Sequence, residues 1–354
     1  MHARVVTGAA VGASVASVVI LVLSIALTSS ATVAPSARTQ VVRLTVPDTG
    51  ITHVVLIADE NEELSAIEQY APYQYSLATT YGWAPNYYSA CHASLPDYEA
   101  WTDGRETGCL DFGVQNVENL GNLMTAAGLS WAGYFESMPT PSGCDLNNSG
   151  YDNLYDVLHN AWIHYKDVRD SPTICHQHIF NSAAFNESLF VNGTLPNFSM
   201  YIPNIFNDGH TEEASKCGLT KANHFEVDLC QANAWTKAFF TQVFNPTSVD
   251  KKVLKHTAFI LVYDEGSTND GYKVPGITNP ACIKKYDLNL TACGGHTLLA
   301  VIDPYDTGPL TFNANSTDYN VESTIEWLFG LPSDGGFDGT AQFPAMTSLF
   351  PLQS

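Results

Sequence analysis

Two short apolar runs in this chain end in acidic and amide side chains. Val54–Ala58 leads into Asp59, Glu60 and Asn61, and Phe259–Tyr263 leads into Asp264, Glu265 and Gly266. Each run reads as a buried strand. If both lie in one parallel sheet, these side chains converge above its carboxyl edge, where ligands of open α/β sheets gather. Carboxylate and amide oxygens suit a hard or borderline divalent cation; residues of the same types also open ordinary loops. The third feature is YSACHASLPDYEAWTDG, residues 88–104, in which Ser94 follows His92 by two positions. A serine becomes a nucleophile beside a base or under metal coordination that lowers its pKa. The absence of a G-x-S-x-G elbow weakens an acyl-hydrolase reading. Taken alone, Ser94 also fits an N-cap or turn hydroxyl.

The elements that must hold these residues alternate between strand and helix patterns. After the first apolar run, EELSAIEQYA reads as a helix. NVENLGNLMTAAG is an amphipathic helix stopped by Gly128, and LSWAGYFE is the following strand. Residues Asp228–Phe244 read as a helix before the second apolar run. HTLLAVIDP is a further strand, and VESTIEWLFGLP is a closing helix ended by Gly330 and Pro332. The alternation predicts a three-layer α/β/α sandwich around a mostly parallel central sheet. No internal repeat or linker divides residues 41–354, which read as one catalytic domain. The stretch of about 143–229, rich in cysteines and N-x-S/T sequons, is expected to be a loop-rich insertion over the sheet.

Composition narrows the function. The net charge of -21 arises from 15 Lys and Arg against 36 Asp and Glu. A basic footprint for nucleic acid is absent. An acidic shell also repels phosphorylated substrates, so a phosphate site here needs a local positive centre, and a metal ion is the natural source. Scarce basic residues further suit life at low pH. Export is signalled three ways. Val5–Ala37 is uncharged and long enough to span a bilayer, so residues 1–40 read as a signal peptide or membrane anchor plus linker. Eight cysteines without a CxxC pair favour disulfides, with Cys217–Cys230 and Cys282–Cys293 suggested by nearness in sequence. Sequons at Asn147, Asn186, Asn192, Asn197, Asn289 and Asn315 suit a secreted or cell-surface glycoprotein.

Seven segments in order resemble the acid phosphatase/phospholipase C phosphoesterase family, within the alkaline-phosphatase-like superfamily. They span about residues 52–332: HVVLIADENEELSAI, CHASLPDYEAWTDG, LSWAGYFESMP, LHNAWIHYKDV, LPNFSMYIPNIFNDGH, ILVYDEG and TIEWLFGLP. The resemblance implies an alkaline-phosphatase-like fold and a divalent metal ion held by Glu60, Asn61, Asp264 and Glu265. It makes Ser94 the nucleophile, His159 and His210 phosphate-side histidines, and His92 a support. His296 is a weaker candidate. The resemblance also pairs Cys144 with Cys175. It departs at Ala93, Asp97 and Ala161, and at Asn233 and Asp318, where the family commonly has Asp and His. The implied activity is phosphomonoester hydrolysis through a phosphoserine; a cation site in so acidic a protein is further expected to work better at acidic pH, where carboxylates are partly neutral and histidines charged. A phospholipase C-type diesterase, a serine esterase and a catalytically inactive surface-binding relative are the alternatives.

Overall fold

The apolar runs that carry the acidic pairs form the middle of an eight-stranded sheet. A computed structural model of the chain describes residues 44–105, 113–147, 154–211, 224–244, 251–279, 282, 288–305, 308–338 and 340–353. In chain order the strands are β1 (His53–Asp59), β2 (Gly82–Trp83), β3 (Trp131–Phe135), β4 (Ile179–Asn181), β5 (Phe198–Ile202), β6 (Thr257–Tyr263), β7 (Leu299–Ile302) and β8 (Leu310–Thr311). Their spatial order is β4-β3-β5-β1-β6-β7-β2-β8. Every pairing is parallel except those of β7, which runs against both β6 and β2. The sheet is therefore mostly parallel, as expected.

The helices are α1 (Leu64–Tyr70), α2 (Pro72–Thr80), α3 (Ser94–Asp103), α4 (Leu120–Ala126), α5 (Lys166–Arg169), α6 (Pro172–His178), α7 (Glu187–Val191), α8 (His224–Val243), α9 (Lys251–Leu254) and α10 (Asp318–Phe329). Alternation along β1 shows the layering. Val54, Leu56 and Ala58 share a buried cluster with Trp101 of α3, Leu123 of α4 and Ile325 of α10. Val55 and Ile57 face the opposite cluster, with Ile67 of α1, Leu77 of α2 and Phe240 of α8. Both faces are thus covered, which is why the central strands read as unbroken apolar runs. Each fully buried aliphatic or Phe side chain contributes about 1.5–3 kcal/mol of transfer free energy to holding the layers together.

The segment 143–229 is not an insertion over the sheet. It supplies β4 and β5, and β5 pairs directly with β1. Its irregular stretches mislead because they separate short strands, not because they lie outside the fold. Disulfides Cys144–Cys175 and Cys282–Cys293 are formed. Cys230 is also disulfide-bonded, while Cys217, its expected partner, lies outside the described residues. Asn186, Asn192, Asn289 and Asn315 are exposed, as is Asn147. Asn197 differs. Its side chain accepts from Ser130 N and Oγ and donates to Thr52 O, and Ser199 of its sequon is buried in β5. The leader and linker expected at 1–40 lie outside the described residues. Among the described residues, no helix is long and apolar enough to cross a membrane.

Candidate active site

The register of β1 against β6 pairs Asp59 with Tyr263, so Glu60 and Asp264 are the first residues beyond the carboxyl edge on adjacent strands. Alternation sends Asp59 to the other face, where Gln74 Nε2 donates to it at 2.6 Å. Glu60 and Asp264 remain above the edge, both fully buried. Asp264 Oδ1 accepts from Asn61 N at 2.9 Å and Glu265 N at 2.6 Å. This closure holds Asn61 at φ 55°, a left-handed conformation that asparagine tolerates better than most residues. Asn61 Nδ2 donates to Glu60 Oε2 at 3.0 Å.

Ser94 opens α3, and its Oγ donates to Glu60 Oε2 at 3.1 Å. The expected nucleophile and the first expected metal ligand are therefore in contact. One turn on, Tyr98 OH donates to Glu60 Oε1 at 2.6 Å. His159 Nε2 lies 3.2 Å from the same oxygen, and its ring stacks on Tyr98. Glu60, His159 and His210 each offer a ligand atom within 4.8 Å of the others. Glu265 instead turns toward His92, whose Nδ1 is 3.1 Å from its Oε2. His92, the expected support, thus contacts the expected ligand Glu265. His296 stays outside the cluster, bound to Pro85 O and stacked on Tyr88.

A third strand end completes the site. The turn after β5 brings in Asp208, whose Oδ2 is 3.5 Å from His159 Nδ1 and whose Oδ1 accepts from His210 N at 2.8 Å. Asp208 O accepts from Glu60 N at 2.9 Å, tying the turn to β1. The Glu-Ser-Met-Pro segment holds that turn from outside. Glu136 Oε2 accepts from Asn204 N and Asn207 Nδ2, and Ser137 Oγ accepts from Asn204 Nδ2. Asp208 and Tyr98 were absent from the expected site. The first was signalled by Asp-x-His ahead of His210. The second sits four residues after Ser94, one helical turn along α3.

Electrostatics set the protonation. Burial, with the charges of Asp264 and Asp208, pushes Glu60 well above the usual carboxylate range. Asp264 is pushed up to about 7 by burial and then by Glu265. Burial depresses His159, but its hydrogen bond to Asp208 and the charge there outweigh this and raise it. Burial lowers His210. In His92 burial is outweighed by Glu265, leaving it raised. A divalent cation fits this set. Asp264 Oδ2 is buried without a hydrogen-bond partner, and crowded buried carboxylates need a positive centre to ionise together. The cleft beside it, roughly 210 Å³, is lined by Asn61, Glu62, His92, Gly209, His210 and Gly266 among others.

Two departures from the family pattern have structural work. Asn233 lies away from the cleft and caps α2, its Oδ1 accepting from Tyr73 N and Gln74 N. Asp318, at the start of α10, is fully buried and accepts from Tyr87 OH and Ala90 N, each at 2.5 Å. It anchors the segment leading into Ser94, where Asp97 Oδ1 also accepts from Cys91 N. Asp318→Ala is expected to destabilise the protein by about 2–4 kcal/mol, because two buried donors lose a charged acceptor. Urea unfolding checks this, and kcat should fall further than KM changes.

A model of the Phosphoesterase family matches residues 67–332. This chain belongs to that family. Among similar proteins, a phosphatidylinositol-3-phosphatase of Mycobacterium tuberculosis is 24% identical over 290 residues, covering 80% of this chain and 78% of that protein. A probable acid phosphatase of Kluyveromyces lactis is 27% identical over 190 residues, or 52% of this chain and 40% of that protein. Among solved structures, an alkaline phosphatase superfamily protein from Vibrio parahaemolyticus superposes with a TM-score of 0.52 at 12% identity, covering 84% of this chain and 73% of that one. Its likeness shows the alkaline-phosphatase-like α/β fold. As a Phosphoesterase member with phosphatase-named relatives, the protein is a hydrolase of phosphoric esters.

Proposed function

We propose that the protein is an extracytoplasmic, metal-dependent phosphomonoesterase that works through a phosphoserine at Ser94. The observation that carries this is the contact of Ser94 Oγ with Glu60 at the carboxyl edge, beside Asp264 and the histidine pair. Glu60, Asn61, Asp264 and Glu265 would hold the cation. When bound, it supplies positive charge that lowers the pKa of a nearby hydroxyl and neutralises phosphoryl oxygens.

The protein's own groups account for the rest. Ser94 Oγ attacks phosphorus in line, forming the phosphoserine and releasing the alcohol. His159, kept charged by Asp208, stabilises the negative charge that develops on the phosphoryl oxygens. His210, whose pKa burial lowers, takes the Ser94 proton as the hydroxyl attacks and passes it to the leaving alcohol, then takes a proton from the attacking water and returns it to Ser94. Amides of the first turn of α3 add a partial positive charge at the serine. Water then cleaves the phosphoserine and regenerates the hydroxyl. The relatives' names favour monoesters, including one borne on a lipid headgroup, over the diesterase alternative. An acidic optimum fits the charged state of His159 and the acidic surface.

Residence outside the cytoplasm rests on the disulfides and the exposed sequons. The apolar leader would supply a cleaved signal or a tether. Dialysis against a strong chelator should lower p-nitrophenyl phosphate hydrolysis by about 100-fold or more, reversed by adding back a divalent ion. Full activity in chelator would sink metal dependence.

A further inference from the structure

A second group of acids lies away from the cleft, where the far end of α3 meets α10 and residues 332–338. Glu322 of α10, Asp334 and Asp338 are all buried, and each offers an oxygen within 4.8 Å of the others. Asp103 and Glu326 stand beside them, also buried. The nearby guanidinium of Arg105 reaches Asp334, its Nη2 donating to the backbone oxygen at 2.6 Å and lying 3.4 Å from Oδ1. One guanidinium cannot balance five buried carboxyls.

An independent observation points to a ligand. Glu322 is fully buried, and neither carboxylate oxygen has a hydrogen-bond partner; Asp334 Oδ2 has none either. The backbone has also been kept clear of this point. Gly104 ends α3 at φ 60°, and a Cβ there would lie 2.3 Å from Asp338 Oδ1 and 2.5 Å from Glu322 Oε2. At Gly336 a Cβ would come within 2.6 Å of Asp338 Oδ1. Two glycines on different segments thus leave room around the same oxygens.

We propose that Glu322, Asp334 and Asp338 bind a structural divalent cation of the calcium class, separate from the catalytic centre. The donor set is all carboxylate oxygen, which selects hard cations over zinc or copper. One helix and one short irregular loop supply it, a flexible combination that suits calcium better than the strict octahedron of magnesium. The ion clamps the 334–338 loop and α10 onto the end of the helix whose first residue is Ser94.

The test uses the full chain, freed of metal by chelator and titrated with calcium chloride, read by calorimetry and thermal melting. Asp264→Asn, which alters the cleft and leaves the cage intact, should still bind one calcium. At a calcium concentration about 100-fold above Kd its Tm should rise by about 4–6 °C. Glu322→Gln and Asp338→Asn, each combined with Asp264→Asn, should bind at least about 10-fold more weakly and lose that rise. The proposal is overturned if Asp264→Asn binds no calcium, or if the folded double variants keep the rise seen in Asp264→Asn. Should the cage variants fail to fold, the Asp264→Asn titration decides alone.

Discussion

Ser94→Ala is expected to lower kcat by about four orders of magnitude or more while leaving the far-ultraviolet spectrum and urea midpoint close to wild type. The two parts of this expectation come from different observations. Ser94 Oγ has one hydrogen bond, to Glu60 Oε2, and the α3 N-cap is Ala93, so the hydroxyl is not needed to start the helix. Losing it costs about 1 kcal/mol of stability at most. Chemistry loses the atom that must bond to phosphorus. Rapid quench with labelled substrate should recover phosphate on Ser94 in wild type and none in the variant. A variant retaining a tenth of wild-type kcat would rule out Ser94 as the nucleophile. Asp264→Ala should be comparably inactive, but through the loss of a ligand and of two backbone anchors.

The second large effect is on stability. In chelator, the protein should be most stable near pH 5 and lose stability steadily toward pH 8. Burial, then the charges of Asp228 and Glu63, push Glu62 from 4.5 up to about 9. Asp103 is pushed from 3.8 up to about 7, mainly by burial. Between the unfolded and folded values, the folded chain holds a proton that the unfolded chain has released. Stability then falls with rising pH by about 1.4 kcal/mol per pH unit for each such group. Raised His92 and His159 act in the same direction as pH passes their folded values. Lowered His53, His164 and His210 oppose this, but only below about 6.5, the ordinary histidine value they have when unfolded. Urea midpoints from pH 4 to 8 measure the slope, and Glu62→Gln should flatten it by about 1.4 kcal/mol per pH unit above pH 5. A midpoint that rises with pH would refute the account.

The fold was legible where local pattern and tertiary placement agree. β1 and β6 are buried on both faces, so their apolar runs announce a parallel sheet, and their acidic ends announce its carboxyl edge. Asp59 shows the limit of that logic. It shares the acidic run with Glu60, yet the two-residue period of a strand points it toward Gln74. β4 and β5 were hidden because three and five residues between irregular stretches carry little periodicity. Tyr98 and Asp208 were missed for a related reason. Their roles arise from α3 and the β5 turn meeting over Glu60, which no single segment encodes. The same holds for the cage of Glu322, Asp334 and Asp338. Its ligands look like surface acids until α10 folds back on the end of α3.

The half-buried Asn197 has a consequence for timing. Its amide is engaged with Ser130 and Thr52, and Ser199 is inside the sheet, so a glycosylating enzyme can read this acceptor only before β5 takes its place beside β1 and β3. Sugar transfer and strand insertion are then rivals. The fraction of molecules carrying a glycan at Asn197, compared with exposed Asn186, would work as a clock on how quickly the centre of the sheet closes during synthesis.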